Sequence, residues 1–198
     1  MNNLTDVVKS LIIINVIIFL GTSFIPFEYK AMGMLHFFKS PYFQPFQVIS
    51  SMFLHADFMH LLFNMFSLFF LGPYVENTLG PKRFLTLYLL AGFGASALHV
   101  GYSYYMYTQG VSPGPVLGAS GCVYGVMIAF ATMFPNLKLM VFPIPVPVAA
   151  KYLGVGLIAI GLYSGFGGAN DGIAHFAHLG GALVGFLLIK YWKMSNLR

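Results

Sequence analysis

Ser120, in Gly118-Ala119-Ser120-Gly121, and His178, in Ala177-His178-Leu179-Gly180-Gly181, lie in separate apolar stretches of the chain. A serine hydroxyl that meets an imidazole is a nucleophile beside a general base, the pair that attacks a carbonyl. An ionisable side chain inside a membrane segment is costly enough to be read as functional by default. The elements carrying these two residues must therefore bring them to one depth.

Composition supplies the membrane. Hydrophobic residues make up 58% of the 198 residues, charged residues only 8%, and the mean hydropathy is +0.79. Soluble domains carry roughly 25% charge. No Ser/Pro/Gln-rich linker or charge block divides the chain, so residues 1–198 read as one membrane domain. Leu11 to Ile25 lacks a small-residue cleavage pattern and is expected to stay as an anchor. The single cysteine, Cys122, cannot form an intramolecular disulfide and reads as a small buried hydrophobe. The net charge of +5 is scattered between apolar runs, with no basic stripe to grip phosphates, so nucleic acid is not an expected partner.

Six spans are expected: Leu11 to Ile25, Phe58 to Tyr74, Phe84 to Tyr107, Gly118 to Phe134, Val148 to Phe166 and Ile173 to Trp192. Turn chemistry separates them at Pro26, Gly80-Pro81, Ser112 to Pro115, Pro143 to Pro147 and Gly165 to Gly168. With a cytoplasmic N-terminus, Lys9, Lys82, Arg83, Lys138, Lys151, Lys190, Lys193 and Arg198 fall inside, against Lys30 and Lys39 outside. Both termini are therefore expected in the cytoplasm. Pro26 to Asp57 is too long for a hairpin and rich in Met, Phe and Tyr, so it is expected to lie in the interface. Alternating strand patterns are absent, which disfavours a transmembrane barrel.

The fourth span is short. Fifteen steps from Ser120 to Pro135 cover about 22 Å, against a hydrocarbon core of about 30 Å. Ser120 should thus open a helix below the outer surface. Counted upward from the cytoplasmic ends, His178 stands 12 residues above Lys190, and His60 and Asn64 stand 16 and 12 above Glu76. Those counts are heights of about 18 to 24 Å, so four polar groups on three helices share a depth. His60 and Asn64 share a helical face, as do Ser120 and Tyr124. Gly121 and Gly125 form one small-xxx-small pair and Gly181 and Gly185 another, which allows two backbones to approach closely in lipid.

Four segments together, His55-Ala-Asp-Phe-Met-His60-Leu-Leu-Phe-Asn64, Glu76-Asn-Thr-Leu-Gly80, Gly118-Ala-Ser120-Gly121-Cys-Val-Tyr124-Gly125 and Ala177-His178-Leu-Gly-Gly181-Ala-Leu-Val-Gly185, resemble the rhomboid intramembrane serine proteases in order and register. The resemblance implies an all-α membrane protein, a bundle of six transmembrane helices with an interfacial first loop. It implies Ser120 as nucleophile, His178 as general base, and His60, Asn64 and the backbone around Ala119 as the groups that hold the oxyanion. Tyr124 would orient the base, and Gly121, Gly125, Gly181 and Gly185 would pack the helices. No metal or other cofactor is implied. The implied substrates are single-span membrane proteins, cut near the outer face where small or helix-breaking residues lower the cost of unwinding. The bacterial inner membrane is the expected location. One departure stands out: many rhomboids carry Trp-Arg in the first loop, where this chain has Phe46-Gln47.

Other polar residues receive lesser roles. His55 and His175 are expected to join His60, Asn64 and His178 around a polar cavity that opens outward. His36 and His99 read as loop or helix-end residues, Glu76 as a tie at the cytoplasmic end of the second span, and Asn15 and Asp171 have no assigned role. Rival readings explain less. A zinc protease lacks the His-Glu-x-x-His pattern. An alpha/beta-hydrolase elbow joins strand to helix. A proton-conducting transporter would show inverted repeats. A catalytically inactive rhomboid-like binder of membrane proteins remains the alternative.

Overall fold

The computed structural model of the protein describes residues 4–140, 146–166 and 175–195. Asp171, Arg198, the Ile173 start of the sixth expected span and the break residues Pro143, Gly167 and Gly168 lie outside them. The described chain runs α1 (Asp6–Ser23), α2 (Phe27–Ala31), α3 (Gln47–Ser50), a 3-10 turn (Ser51–Phe53), α4 (Phe58–Leu79), α5 (Pro81–Thr108), α6 (Ser120–Met133), β1 (Lys138–Leu139), β2 (Val148–Ala149), α7 (Ala150–Phe166) and α8 (His175–Ser195). Each expected span overlaps a helix, with shifted ends. Three of these, α1, α4 and α5, are long and apolar enough to cross a membrane by length and composition.

Boundaries move where local chemistry outweighs hydropathy. The α4 helix continues through buried Pro73 to Leu79, because neighbouring helices in a bundle compensate the lost backbone bond. It stops at Gly80, whose φ of +79° few other residues adopt. Pro81 then opens α5 at a position where its missing N–H costs nothing. The β1–β2 ribbon, Lys138 opposite Ala149, was not expected, since two-residue strands are too short to show alternation.

The inner helix is α6. Eight of its residues are buried, from Gly121 to Phe130, and they take up more than half of the circumference, leaving Ser120, Tyr124, Met127 and Ala131 half-buried along the remaining stripe. Fourteen residues give it about 21 Å, so it need not reach either surface. Around it, α8 packs chiefly on α5 and α6, α4 lies against α1 and α6, and α7 rests on α8 and α6. The α6–α8 contact is made by glycines. A Cβ at Gly181 would lie 2.8 Å from the Gly121 carbonyl carbon, and one at Gly185 would lie 2.8 Å from Gly125 Cα. A third close approach, Gly180 of α8 on Gly94 of α5, pairs single glycines that no small-xxx-small spacing announces.

Two polar residues fasten the periphery. The Glu76 carboxylate, buried on α4, accepts from the Thr5 hydroxyl and from the backbone N–H of Val7 (3.1 Å) and Val8 (2.9 Å). It thus caps the first turn of α1, where orphan N–H groups and the helix dipole favour an anion. Sequence reading places Glu76 at the end of its own helix; its partner is the start of another. Gln47, buried at the start of α3, accepts from the N–H of His36 (3.2 Å) and Gln44 (3.1 Å) and donates to the carbonyls of Met32 (3.0 Å) and Tyr42 (2.9 Å). A neutral amide therefore knots the first loop. Phe24, Phe27, Met32, Tyr42 and Phe46, in or next to this loop, remain exposed.

Candidate active site

Ser120 is the first residue of α6, and His178 lies in the first turn of α8. The close backbone approach of these helices sets His178 Nε2 2.8 Å from Ser120 Oγ, a hydrogen bond between residues 58 apart in sequence. The Tyr124 ring, one turn below Ser120, stacks on the His178 ring with centroids 4.2 Å apart and planes 9° from parallel. That stack fixes the imidazole plane. His175 stands edge-on to His178 at 6.5 Å.

The segment entering α6 is held from the first loop. Leu35 and Val116 exchange backbone hydrogen bonds of 2.8 and 3.0 Å, and the Gly118 N–H donates to the Ser51 carbonyl at 2.8 Å. Gly118 has φ +131°, a conformation reserved for glycine. A Cβ there would also strike His60, 2.7 Å from Cε1 and 2.8 Å from Nε2. His60 is thereby seated against the backbone that leads into Ser120. No side chain caps the N-terminus of α6 at Ala119, and the first N–H groups of a helix have no partner within it.

On α4, Asp57 caps the helix by accepting from the His60 N–H at 2.8 Å, and the Ala56 N–H donates to His60 Nδ1 at 3.4 Å. Asn64, 6% exposed, donates one amide hydrogen to the His60 carbonyl at 2.9 Å. An amide carries two donors, so a second N–H remains for a ligand.

His55, in the turn before α4, is fully buried and edge-on to His60 at 5.2 Å. Burial, reinforced by the neighbouring His60, pushes its imidazole down to about 4 from the ordinary 6.5. Between those values the unfolded chain binds more protons than the folded one. Stability is therefore fully present above about pH 6.5 and falls as the pH drops toward 4, by up to about 3 kcal/mol from this group. In thermal unfolding in detergent from pH 7 to pH 4, His55→Phe should lose less stability than the unmodified protein. Parallel curves for the two would refute the assignment.

One expectation needs correction. His99 is no helix-end residue: α5 extends nine residues beyond it, and its ring is 8% exposed. A cavity beside Ser120 lies between α5 and the chain entering α6, lined mainly by apolar and small residues such as Met52, Ala95, Leu117 and Cys122, with Ser51, Ser96 and His99 as its polar walls. The α5 helix supplies the wall that the polar pattern of α4 and α8 does not reveal. Burial of Cys122 as a free thiol agrees with its reading as a small hydrophobe. Asn15, buried in α1, donates to its own helix at the Leu11 carbonyl.

The chain is similar to known proteins. A model of the Rhomboid domain matches residues 42–194. The chain is 33% identical over 142 residues to "Rhomboid protein 1, mitochondrial" of Saccharomyces cerevisiae, covering 71% of this chain and 40% of that protein. It is 35% identical over 148 residues to "RHOMBOID-like protein 12, mitochondrial" of Arabidopsis thaliana, covering 69% and 43%. It is 32% identical over 149 residues to "Rhomboid protease AarA" of Providencia stuartii, covering 70% and 52%. The chain thus spans about half or less of the length of these relatives. With the domain match running from the first loop to the end of α8, this helical membrane protein belongs to the rhomboid family.

Proposed function

We propose that the chain is an intramembrane serine endopeptidase that crosses the bilayer six times, has both termini on the cytoplasmic side and cuts single-span membrane proteins near the outer face. The observation that carries this reading is the 2.8 Å separation of Ser120 Oγ and His178 Nε2 inside an apolar bundle. His178 accepts the Ser120 proton as Oγ bonds to the scissile carbonyl carbon. It then returns that proton to the leaving amine, which departs and leaves an acyl-enzyme. Water, deprotonated by the same imidazole, attacks the ester, and the proton goes back to Ser120 as the new carboxyl end leaves. Tyr124 holds the imidazole plane throughout.

The developing oxyanion needs donors already in place. The backbone N–H groups at the start of α6, around Ala119 and Ser120, provide them together with the His60 ring and the second amide hydrogen of Asn64. Removing one such donor typically costs about 10²- to 10³-fold in turnover. Asn64→Ala and His60→Ala should therefore lower kcat with KM nearly unchanged, in steady-state kinetics on a reconstituted transmembrane substrate. A large rise in KM at constant kcat would move both residues to substrate docking.

The decisive experiment incubates purified protein in liposomes with a single-span reporter that carries a glycine or proline in its outer third. Cleavage supports the protease reading. Stable capture of the reporter without cleavage would favour a rhomboid-like binder.

A further inference from the structure

The two ring nitrogens of His60 do different work. In a neutral imidazole one nitrogen carries the hydrogen and the other accepts, and the bond made by one decides the state of the other. The Ala56 N–H donates to Nδ1 at 3.4 Å, so the hydrogen of the neutral ring stands on Nε2. Nε2 is also packed on Gly118, 2.8 Å from where a Cβ would lie, two residues before Ser120. The Ala56 peptide therefore decides whether His60 presents a donor or an acceptor to the start of α6.

Two charged side chains hold that peptide, both by bonds to backbone. Lys30, in the last turn of α2, donates from Nζ to the Ala56 carbonyl at 3.2 Å. Asp57, with extended backbone, accepts the His60 N–H at 2.8 Å and winds the first turn of α4, which brings the His60 ring back under the Ala56 N–H four positions earlier. The chain just after Lys30 is itself fixed, since Gln47 donates to the Met32 carbonyl at 3.0 Å and the Ser50 hydroxyl to the Gly33 carbonyl at 2.8 Å. The first loop is thus braced against the turn that carries His60.

We infer that Lys30 and Asp57 are positioning residues, which together hold the Ala56 N–H on Nδ1 of His60 and so keep the Nε2 hydrogen directed at the oxyanion. The inference rests on the protease reading and on His60 as an oxyanion donor. Complete loss of one such donor costs about 10²- to 10³-fold, and a loosened donor forfeits part of that. Asp57→Ala, which removes the cap, should lower kcat about tenfold and Lys30→Ala about threefold, both with KM nearly unchanged.

The test is steady-state cleavage of the single-span reporter by the full chain in liposomes, beside nitrogen NMR of histidine-labelled protein in detergent. Asp57→Asn, whose amide oxygen still caps the helix, should recover most of kcat, and so should Lys30→Arg. In a His60→Ala background, Asp57→Ala and Lys30→Ala should cost nothing further, because the group they position is gone; a merely structural role would still cost. In the NMR spectrum the His60 signal, assigned by its loss in His60→Ala, should show the hydrogen on Nε2 in the unmodified protein and on both nitrogens in Asp57→Ala. Unchanged kcat in Asp57→Ala, additive losses in the double variants, or hydrogen on Nδ1 in the unmodified protein would overturn the inference. The last of these decides the matter should Asp57→Ala not fold. Additive losses beside a normal loss in His60→Ala leave the oxyanion and protease readings standing, full activity in His60→Ala removes the oxyanion role with the inference, and no cleavage by the unmodified protein removes all three.

Discussion

Ser120→Ala should abolish cleavage of a transmembrane reporter, a loss of at least about 10⁴-fold, because nothing else in the proposed mechanism forms the covalent intermediate. His178→Ala should fall by a comparable factor. Groups that act as one unit are not additive, so the double variant should be no slower than either single one. Fluorophosphonate labelling should vanish with Ser120 and drop with His178, since an alkoxide that no base generates reacts slowly. The measurement is initial-rate cleavage in liposomes beside labelling in the same preparation. Turnover by Ser120→Ala above a blank would sink the assignment, and an additive double variant would argue that the two residues do not work as a pair.

The second large effect is expected from a residue that touches no substrate. Gly181 of α8 sits so close to α6 that a Cβ would lie 2.8 Å from the Gly121 carbonyl carbon and 3.2 Å from its Cα. Those are backbone atoms, which no rotamer change can move aside. Gly181→Ala should therefore push α8 outward and lengthen the Ser120–His178 contact. A misplacement of about 1 Å can cost about 10²-fold in rate. Gly101, on α5, has nothing within 4 Å of its would-be Cβ, so Gly101→Ala is the matched control with near-unchanged activity. Each variant is followed by cleavage and by thermal unfolding in detergent. Full activity in Gly181→Ala would remove the close-packing argument, and unfolding before any loss of activity would shift the role of the glycine from alignment to stability.

Local pattern made part of this molecule legible. The short fourth span starts at Ser120 because a glycine-rich approach and Pro135 bracket it, and both signals are local. The glycine pairs at 121/125 and 181/185 announce a tight helix contact because small residues at that spacing let two backbones approach closely. What stayed hidden depends on partners distant in sequence. Glu76 looks like the end of its own helix, and only the packed bundle shows it bonded to residues 68 to 71 positions away. Gln47 looks like a departure from the family, and its four backbone partners exist only once the loop has closed on it. His99 escaped for a related reason: hydropathy locates the span, but the side of α5 that is covered is decided by α6 and the first loop.

The distance along the chain between Ser120 and His178 also sets a timetable. Fifty-eight positions separate them. At about 5–20 residues per second of synthesis, roughly 3 to 12 seconds pass between the making of the serine and the making of its imidazole. During that interval the nascent chain, already lodged among other membrane proteins, holds an unactivated hydroxyl. The last long helix then has to slide glycine against glycine onto α6 before the two side chains can meet. For the proposed protease, a ribosome-bound intermediate would in this way be harmless to its neighbours, and the order of translation itself would act as the safeguard that soluble proteases obtain from a removable pro-segment.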